Sequence, residues 1–122
     1  MSVPKELAKA YEHIACVGVL NDNGLSRQAC YHLLAAISNA SAALTDGKGG
    51  FRSFEEVPQK AFLRTGPIQM TNLTAALQGI AADDEVDESL AFDYAANGSK
   101  IVDGFIADVL DYLNPVEAPA PR

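Results

Sequence analysis

Apolar residues recur at steps of three and four along four separate stretches of this chain, and no segment alternates apolar and polar residues for long enough to indicate a strand. A repeat of this kind places apolar side chains on one face of a helix. Twenty of the 122 residues are alanine, the strongest helix former. We therefore expect an all-α fold, and at this length a single hydrophobic core.

Helix-starting and helix-stopping residues define a first helical hairpin. Pro4 suits the first turn of a helix, and the Asn-Asp-Asn-Gly run at 21–24 ends that helix. Ser26 is a good N-cap for the second helix, which carries a regular apolar stripe to a stop at 45–47. Two helices joined by so short a turn are expected to pack side by side in opposite directions.

A second hairpin follows an irregular middle segment. Residues 47–66 are rich in glycine and show no sustained helical repeat. The third helix is expected to begin at about Pro67, and the acidic run at 83–85 is expected to open the fourth, since acids favour the first turn of a helix. The apolar stripe of the fourth helix keeps its register through Asn97-Gly98, which favours one continuous helix to Leu113. The alternative is a break at Asn97-Gly98, with Ser99 as the N-cap of a second helix.

Together these elements predict a single-domain, four-helix bundle-like fold. The domain is expected to span residues 1–114, as two helical hairpins with an irregular middle segment. Residues 115–122 contain three prolines and are expected to form a flexible tail.

Charge is distributed unevenly and limits the classes of partner. After position 82 there are ten acidic and two basic residues, against six and seven before it, and the net charge is −7. Nucleic acids and anionic membrane surfaces are bound by clusters of cations, which this chain lacks. No export signal precedes the first helix, so we expect a cytoplasmic protein. A basic protein surface is the partner that this charge favours.

Acidic and apolar residues form the predicted partner-binding surface. Six acids lie within residues 83–93, and further acids follow on what is expected to be the outer face of the last helix. The last turn of the first helix is apolar nearly all round and must be covered by the fold or by a partner. Two phenylalanines in the middle segment either fill the bundle, which we favour, or serve as contact anchors. The predicted contact residues are Asp84, Asp87, Glu88, Asp103, Asp108, Asp111, Val19, Leu20, Phe51 and Phe54.

The two histidines and two cysteines lie within twenty positions and raise the question of a zinc site. On a helical projection, Cys30 lies at the centre of the apolar stripe of the second helix and His32 points about 150° away from that stripe. His13 and Cys16 lie off the main apolar stripe of the first helix. Four ligands so arranged do not converge on one ion. We therefore expect no metal, with both thiols buried as small apolar groups and both imidazoles at the surface.

No nucleophile, base and oxyanion donor can be grouped from the sequence. The leading expectation is a small, acidic, non-enzymatic regulator or inhibitor that acts by binding another protein, or a second copy of itself, and needs no cofactor. The alternative is a bundle that binds a small apolar ligand or a metal between its helices, where the residues of interest are Cys16, Cys30, His13 and Tyr94.

Overall fold

A computed structural model describes residues 4–44, 54 and 57–114 of the chain. Among these residues there are four α-helices and no strand, which confirms the all-α, bundle-like prediction. A short 3₁₀ turn at Gln59–Ala61 lies in the middle segment. The helices are α1 (Lys5–Asp22), α2 (Ser26–Ala43), α3 (Pro67–Ala82) and α4 (Glu88–Leu113). None of the four has the combined length and apolar character needed to cross a bilayer. Phe51 and the predicted tail at 115–122 lie outside the described residues.

The turn between α1 and α2 differs from the prediction at Ser26. This residue is already inside α2, and its hydroxyl donates to Asn21 Oδ1 at 2.6 Å instead of capping the helix. Gly24 adopts a φ of 77°, the left-handed conformation that lets the chain reverse within this short connection. Ser26 therefore ties the two helices of the hairpin together, and the predicted N-cap is wrong.

Helix α4 begins later than the acidic run suggested. Asp83 uses its side chain to accept a hydrogen bond from the Glu85 amide, which forms a turn. Asp87 is the N-cap of α4, and its carboxylate accepts from the amides of Ser89 and Leu90. The acids thus make a turn and a cap ahead of the helix. From Glu88 the helix is continuous through Asn97-Gly98, as predicted.

Helix α2 lies at the centre of the fold. Helices α1, α3 and α4 all pack against it, and α3 contacts α2 more extensively than it contacts α4. The core contains Leu7 and Val17 of α1, Leu33 of α2 and Phe105 of α4, all at most 1% exposed. Phe54 is also buried and meets Phe105 edge to face, with ring centroids 5.7 Å apart. The prediction that Phe54 fills the bundle is therefore confirmed.

A buried carboxylate attaches the middle segment to α4. Asp108 is 0% exposed and accepts hydrogen bonds from the amides of Leu63, Arg64 and Thr65, at 2.9–3.1 Å. The Thr65 hydroxyl and Arg64 Nη1 also donate to it, and the same Nη1 donates to Asp111 at 2.9 Å. The expectation that Asp108 lies on the outer face of α4 is wrong, because residues 63–65 cover it.

Candidate functional site at the acidic end of the bundle

Six acidic side chains are exposed together where α3 passes into α4. They are Asp83, Asp84, Glu85, Asp87, Glu88 and Asp93, called here the acidic end. The sequence prediction for Asp84, Asp87 and Glu88 therefore places them correctly, at the surface and in one region. Carboxylates so close together create a negative potential that extends beyond the molecule.

The backbone of the acidic end is held in place by the fold. Val86 packs against the core, and its amide donates to the Asp83 carbonyl at 3.3 Å. The carboxylates of Asp83 and Asp87 accept hydrogen bonds from backbone amides, as described above. Of the remaining acids, Glu85, Glu88 and Asp93 extend into solvent from an ordered turn and the start of α4.

Arg27 connects the first turn of α2 to the acidic end. Its Nη2 lies 2.8 Å from Asp84 Oδ1, and its Nε donates to the Ala81 carbonyl at 2.9 Å. The guanidinium also lies over the Tyr31 ring, 5.9 Å from its centroid. This is the one ion pair found at the acidic end among residues 4–44 and 57–114, so most of the negative charge there is unpaired.

An exposed apolar side chain borders the acidic end. Phe92 follows Glu88 by one helical turn and is 45% exposed. Its carbonyl accepts a hydrogen bond from Asn21 Nδ2 at 3.2 Å, which places the C-terminal end of α1 beside it. In that part of α1, Val19 is 64% exposed, whereas Leu20 packs against the core. Of the two apolar residues predicted in α1 for partner contact, Val19 is therefore available and Leu20 is largely used by the fold.

The C-terminal half of α4 does not continue the acidic surface. Asp103 is exposed, but Asp108 is buried and Asp111 is held by Arg64. The predicted ridge formed by these three aspartates is therefore wrong, because Asp108 and Asp111 accept hydrogen bonds from Arg64, and Asp108 also from the backbone beside it. The clustered exposed acids are instead in the turn before α4 and in the first two turns of that helix.

His13 and His32 meet between α1 and α2, although the sequence placed both imidazoles at the surface. Their Nδ1 atoms lie 2.9 Å apart and their ring centroids 5.1 Å apart. One imidazole must therefore carry a proton on Nδ1 and donate it to the other. Two protonated rings could not make this bond, because both nitrogens would be donors.

We expect the pKa of His13 to lie below the ordinary 6.5. Burial lowers it, as does the charge of His32, while Glu12 opposes both. The contribution of His13 to stability is therefore complete above about pH 6.5 and is lost as the pH falls through the lower, folded pKa. An NMR titration of the His13 ring should show a midpoint below 6.5, raised in His32→Ala and lowered further in Glu12→Gln. A midpoint at or above 6.5 in the unmodified chain would contradict this assignment.

The other residues of the ligand-binding alternative are dispersed. Cys30 is buried, its thiol donates to the Ala91 carbonyl at 3.8 Å, and burial raises its pKa to about 11. Cys16 is exposed, contrary to the prediction that both thiols are buried. Tyr94 lines a surface groove between α3 and α4. Within the described part of the chain, no three side chains of the kinds that bind metals are grouped as ligands.

Comparisons of the chain with protein-family models, with curated proteins and with solved structures found no match. The fold and the site geometry are therefore the basis for a functional proposal.

Sequence reasoning did not identify Arg27 or Phe92 as part of this site. Arg27 is the one charged residue in α2, and a charge so isolated was a usable signal for an ion pair with an acidic partner. Phe92 lies outside the apolar stripe of α4, next to Asp93 and one turn after Glu88. A large aromatic residue on the polar side of a helix was a usable signal for an exposed contact residue.

Proposed function

We propose that this protein is a small non-enzymatic regulator or inhibitor that binds a basic protein surface through its acidic end. The observation that carries the proposal is the exposure of Phe92 beside acids that are mostly unpaired. Two free thiols suit a reducing compartment, and we place the protein in the cytoplasm.

Acidic and apolar groups have separate roles in this proposal. The carboxylates attract a basic partner over several ångströms and orient it during approach, an effect that salt screens. Once the surfaces meet, Phe92 supplies apolar area that a charged surface alone lacks, and buried aromatic side chains dominate the energy of many interfaces. Because the turn is already ordered by Asp83 and Asp87, binding requires little further ordering of the backbone.

Site-specific cross-linking tests which surface is used. The photoreactive residue p-benzoylphenylalanine is placed at Phe92 and, as a matched control, at Tyr112, which is 39% exposed near the other end of α4. We expect irradiation of cells to give a discrete adduct with a basic protein from position 92 and none from position 112. Adducts from both positions, or from neither, would contradict the proposal.

A pair of charge variants separates the acidic end from net charge. The first, Glu85→Gln, Glu88→Gln and Asp93→Asn, neutralises acids that neither cap a helix nor pair with Arg27. The second neutralises Glu6, Glu12 and Asp103, which lie elsewhere, and removes the same three charges. We expect only the first to weaken binding to the adduct partner, by about tenfold or more at low salt, with a smaller dependence on salt concentration. Equal effects would show that net charge, and not this surface, is responsible.

A further inference from the structure

Helix α3 carries two stripes on opposite faces. The buried stripe, Met70, Leu73, Leu77 and Ile80, packs into the core. The exposed stripe has the alternating spacing of four and three that is typical of a helix packing against another helix. It consists of Ile68, Asn72, Ala75, Gly79 and Ala82, all exposed. Of the four helices that the structure describes, α3 alone has no charged residue.

A groove runs beside the exposed stripe. It has a volume of about 270 Å³, and its floor includes the small residues Ala75, Ala76 and Gly79. Leu90 and Tyr94 of α4 form its far wall and are 47% and 37% exposed. Apolar side chains thus face a row of residues small enough to let another helix approach closely.

We propose that the exposed stripe of α3 binds the same stripe of a second copy of this chain, in antiparallel orientation about a two-fold axis at Ala75. In this register Ile68 is level with Ala82 of the other copy, and Asn72 lies within one residue of the level of Gly79. Each larger side chain therefore meets one of the smallest, so the stripe is complementary to itself, as a two-fold interface requires. The α3 helix of each copy would also cover the groove wall formed by Leu90 and Tyr94 of the other.

Charge favours a second copy through this face and in this orientation. Two chains with a net charge of −7 repel one another, and α3 is the one described helix that brings no charge of its own into a contact. The carboxylate that lines the groove is Asp83, at the end nearest the acidic end. The acidic end follows directly after Ala82, so antiparallel pairing about Ala75 puts the two acidic ends roughly 24 Å apart. That separation exceeds the screening length of about 8 Å at physiological salt, whereas parallel pairing would place the acidic ends side by side.

The area available is sufficient for a weak, specific dimer. Helix α3 has 16 residues and is about 24 Å long. The surface formed by α3 and the adjoining groove is about two helices wide. Its projected area is roughly 500 Å², which is near the lower limit of about 600 Å² per partner for stable interfaces. We therefore expect dissociation in the micromolar range. Asp83 belongs to both the groove and the acidic end, but the acids tested in the proposed function, Glu85, Glu88 and Asp93, do not line the groove, so different residues test the two proposals.

Two glycine variants test the contact. Gly79 and Gly18 are both exposed helical glycines with nothing within 4 Å of an added Cβ. Gly79→Glu and Gly18→Glu therefore change net charge and helix preference equally, but only the first places a carboxylate in the interface. In sedimentation velocity over a concentration series, we expect the unmodified chain and Gly18→Glu to form dimers. Gly79→Glu should dissociate at least about 100-fold more readily. A monomeric unmodified chain, or equal dimerisation by both variants, would overturn the proposal.

A cysteine at the two-fold axis tests the orientation. In a Cys16→Ser background, Ala75→Cys would face its own counterpart and should form an intermolecular disulfide under mild oxidation. Ala8→Cys, at an exposed alanine of α1, is the control and should form at least about tenfold less. Equal cross-linking at both positions would exclude this register even if a dimer forms.

Discussion

Replacing Asp108 with alanine is expected to lower the free energy of unfolding by roughly 3–5 kcal/mol. The substitution leaves the amides of Leu63, Arg64 and Thr65 without their acceptor, and the buried Thr65 hydroxyl loses the same partner. Each buried donor without an acceptor costs about 1–3 kcal/mol. A small domain is stable by only about 5–15 kcal/mol, so urea unfolding should show a large fall in the midpoint.

Asp103→Ala is the matched control, because Asp103 is on the same helix but exposed. We expect it to change stability by about 0.5 kcal/mol or less, as is usual for surface substitutions. If both variants unfolded at the same urea concentration, the carboxylate of Asp108 would not hold residues 63–65 as described.

Acidic pH should weaken the attachment of residues 63–65 to Asp108 of α4. Burial on its own would raise the pKa of Asp108, but the hydrogen bonds from residues 63–65 outweigh it and hold this pKa below the ordinary 3.8. The unfolded chain therefore takes up a proton first as the pH falls. The stability that Asp108 supplies is complete well above pH 3.8 and is lost as the pH drops from there through the folded pKa. The stability difference between the unmodified chain and Asp108→Asn should shrink over that window.

Helix positions were largely predictable from the sequence because they depend on local rules. The start of α3 at Pro67 follows from the fixed φ of proline, and the continuity of α4 follows from the register of its apolar stripe. The start of α4 was predicted several residues too early, since acidic residues are common both at the N-cap of a helix and within its first turn. The hydrogen bonds that Asp87 accepts identify this residue as the N-cap, and the sequence does not show them.

Site residues were less predictable because they depend on what covers each helix. On a helical projection, Asp103 and Asp108 lie at similar angles, roughly 105–115°, on opposite sides of the α4 stripe. One is exposed and the other buried because residues 63–65 cover one side only. Likewise, His13 and His32 each lie off the stripe of their own helix, yet they meet because the sides of α1 and α2 are in contact. A projection of a single helix shows neither the segment that covers Asp108 nor the contact between the two histidines.

At Gly98, α4 lies close to both α2 and α3, and Gly98→Val is expected to cost roughly 2–3 kcal/mol. A Cβ added there would lie 3.1 Å from Leu33 Cδ1 of α2 and 3.4 Å from Leu73 Cδ1 of α3. A single Cβ already fills the space at Gly98, and valine adds two methyl groups to it. Either α4 must move away from both helices or the two leucines must leave their rotamers.

Gly104→Ala is the control for Gly98→Val, since it concerns the same helix but meets only ordinary contacts, 3.5 Å to Thr65 Cγ2 and 3.7 Å to Arg64 Cβ. It should stabilise the fold by about 0.5–1 kcal/mol, because alanine favours a helix interior more than glycine does. Thermal unfolding of the two variants should therefore shift in opposite directions. A Gly98→Val chain as stable as the unmodified one would show that α4 does not pack this closely against α2 and α3, and that the core is looser at this crossing than the contacts of Leu33 and Leu73 indicate.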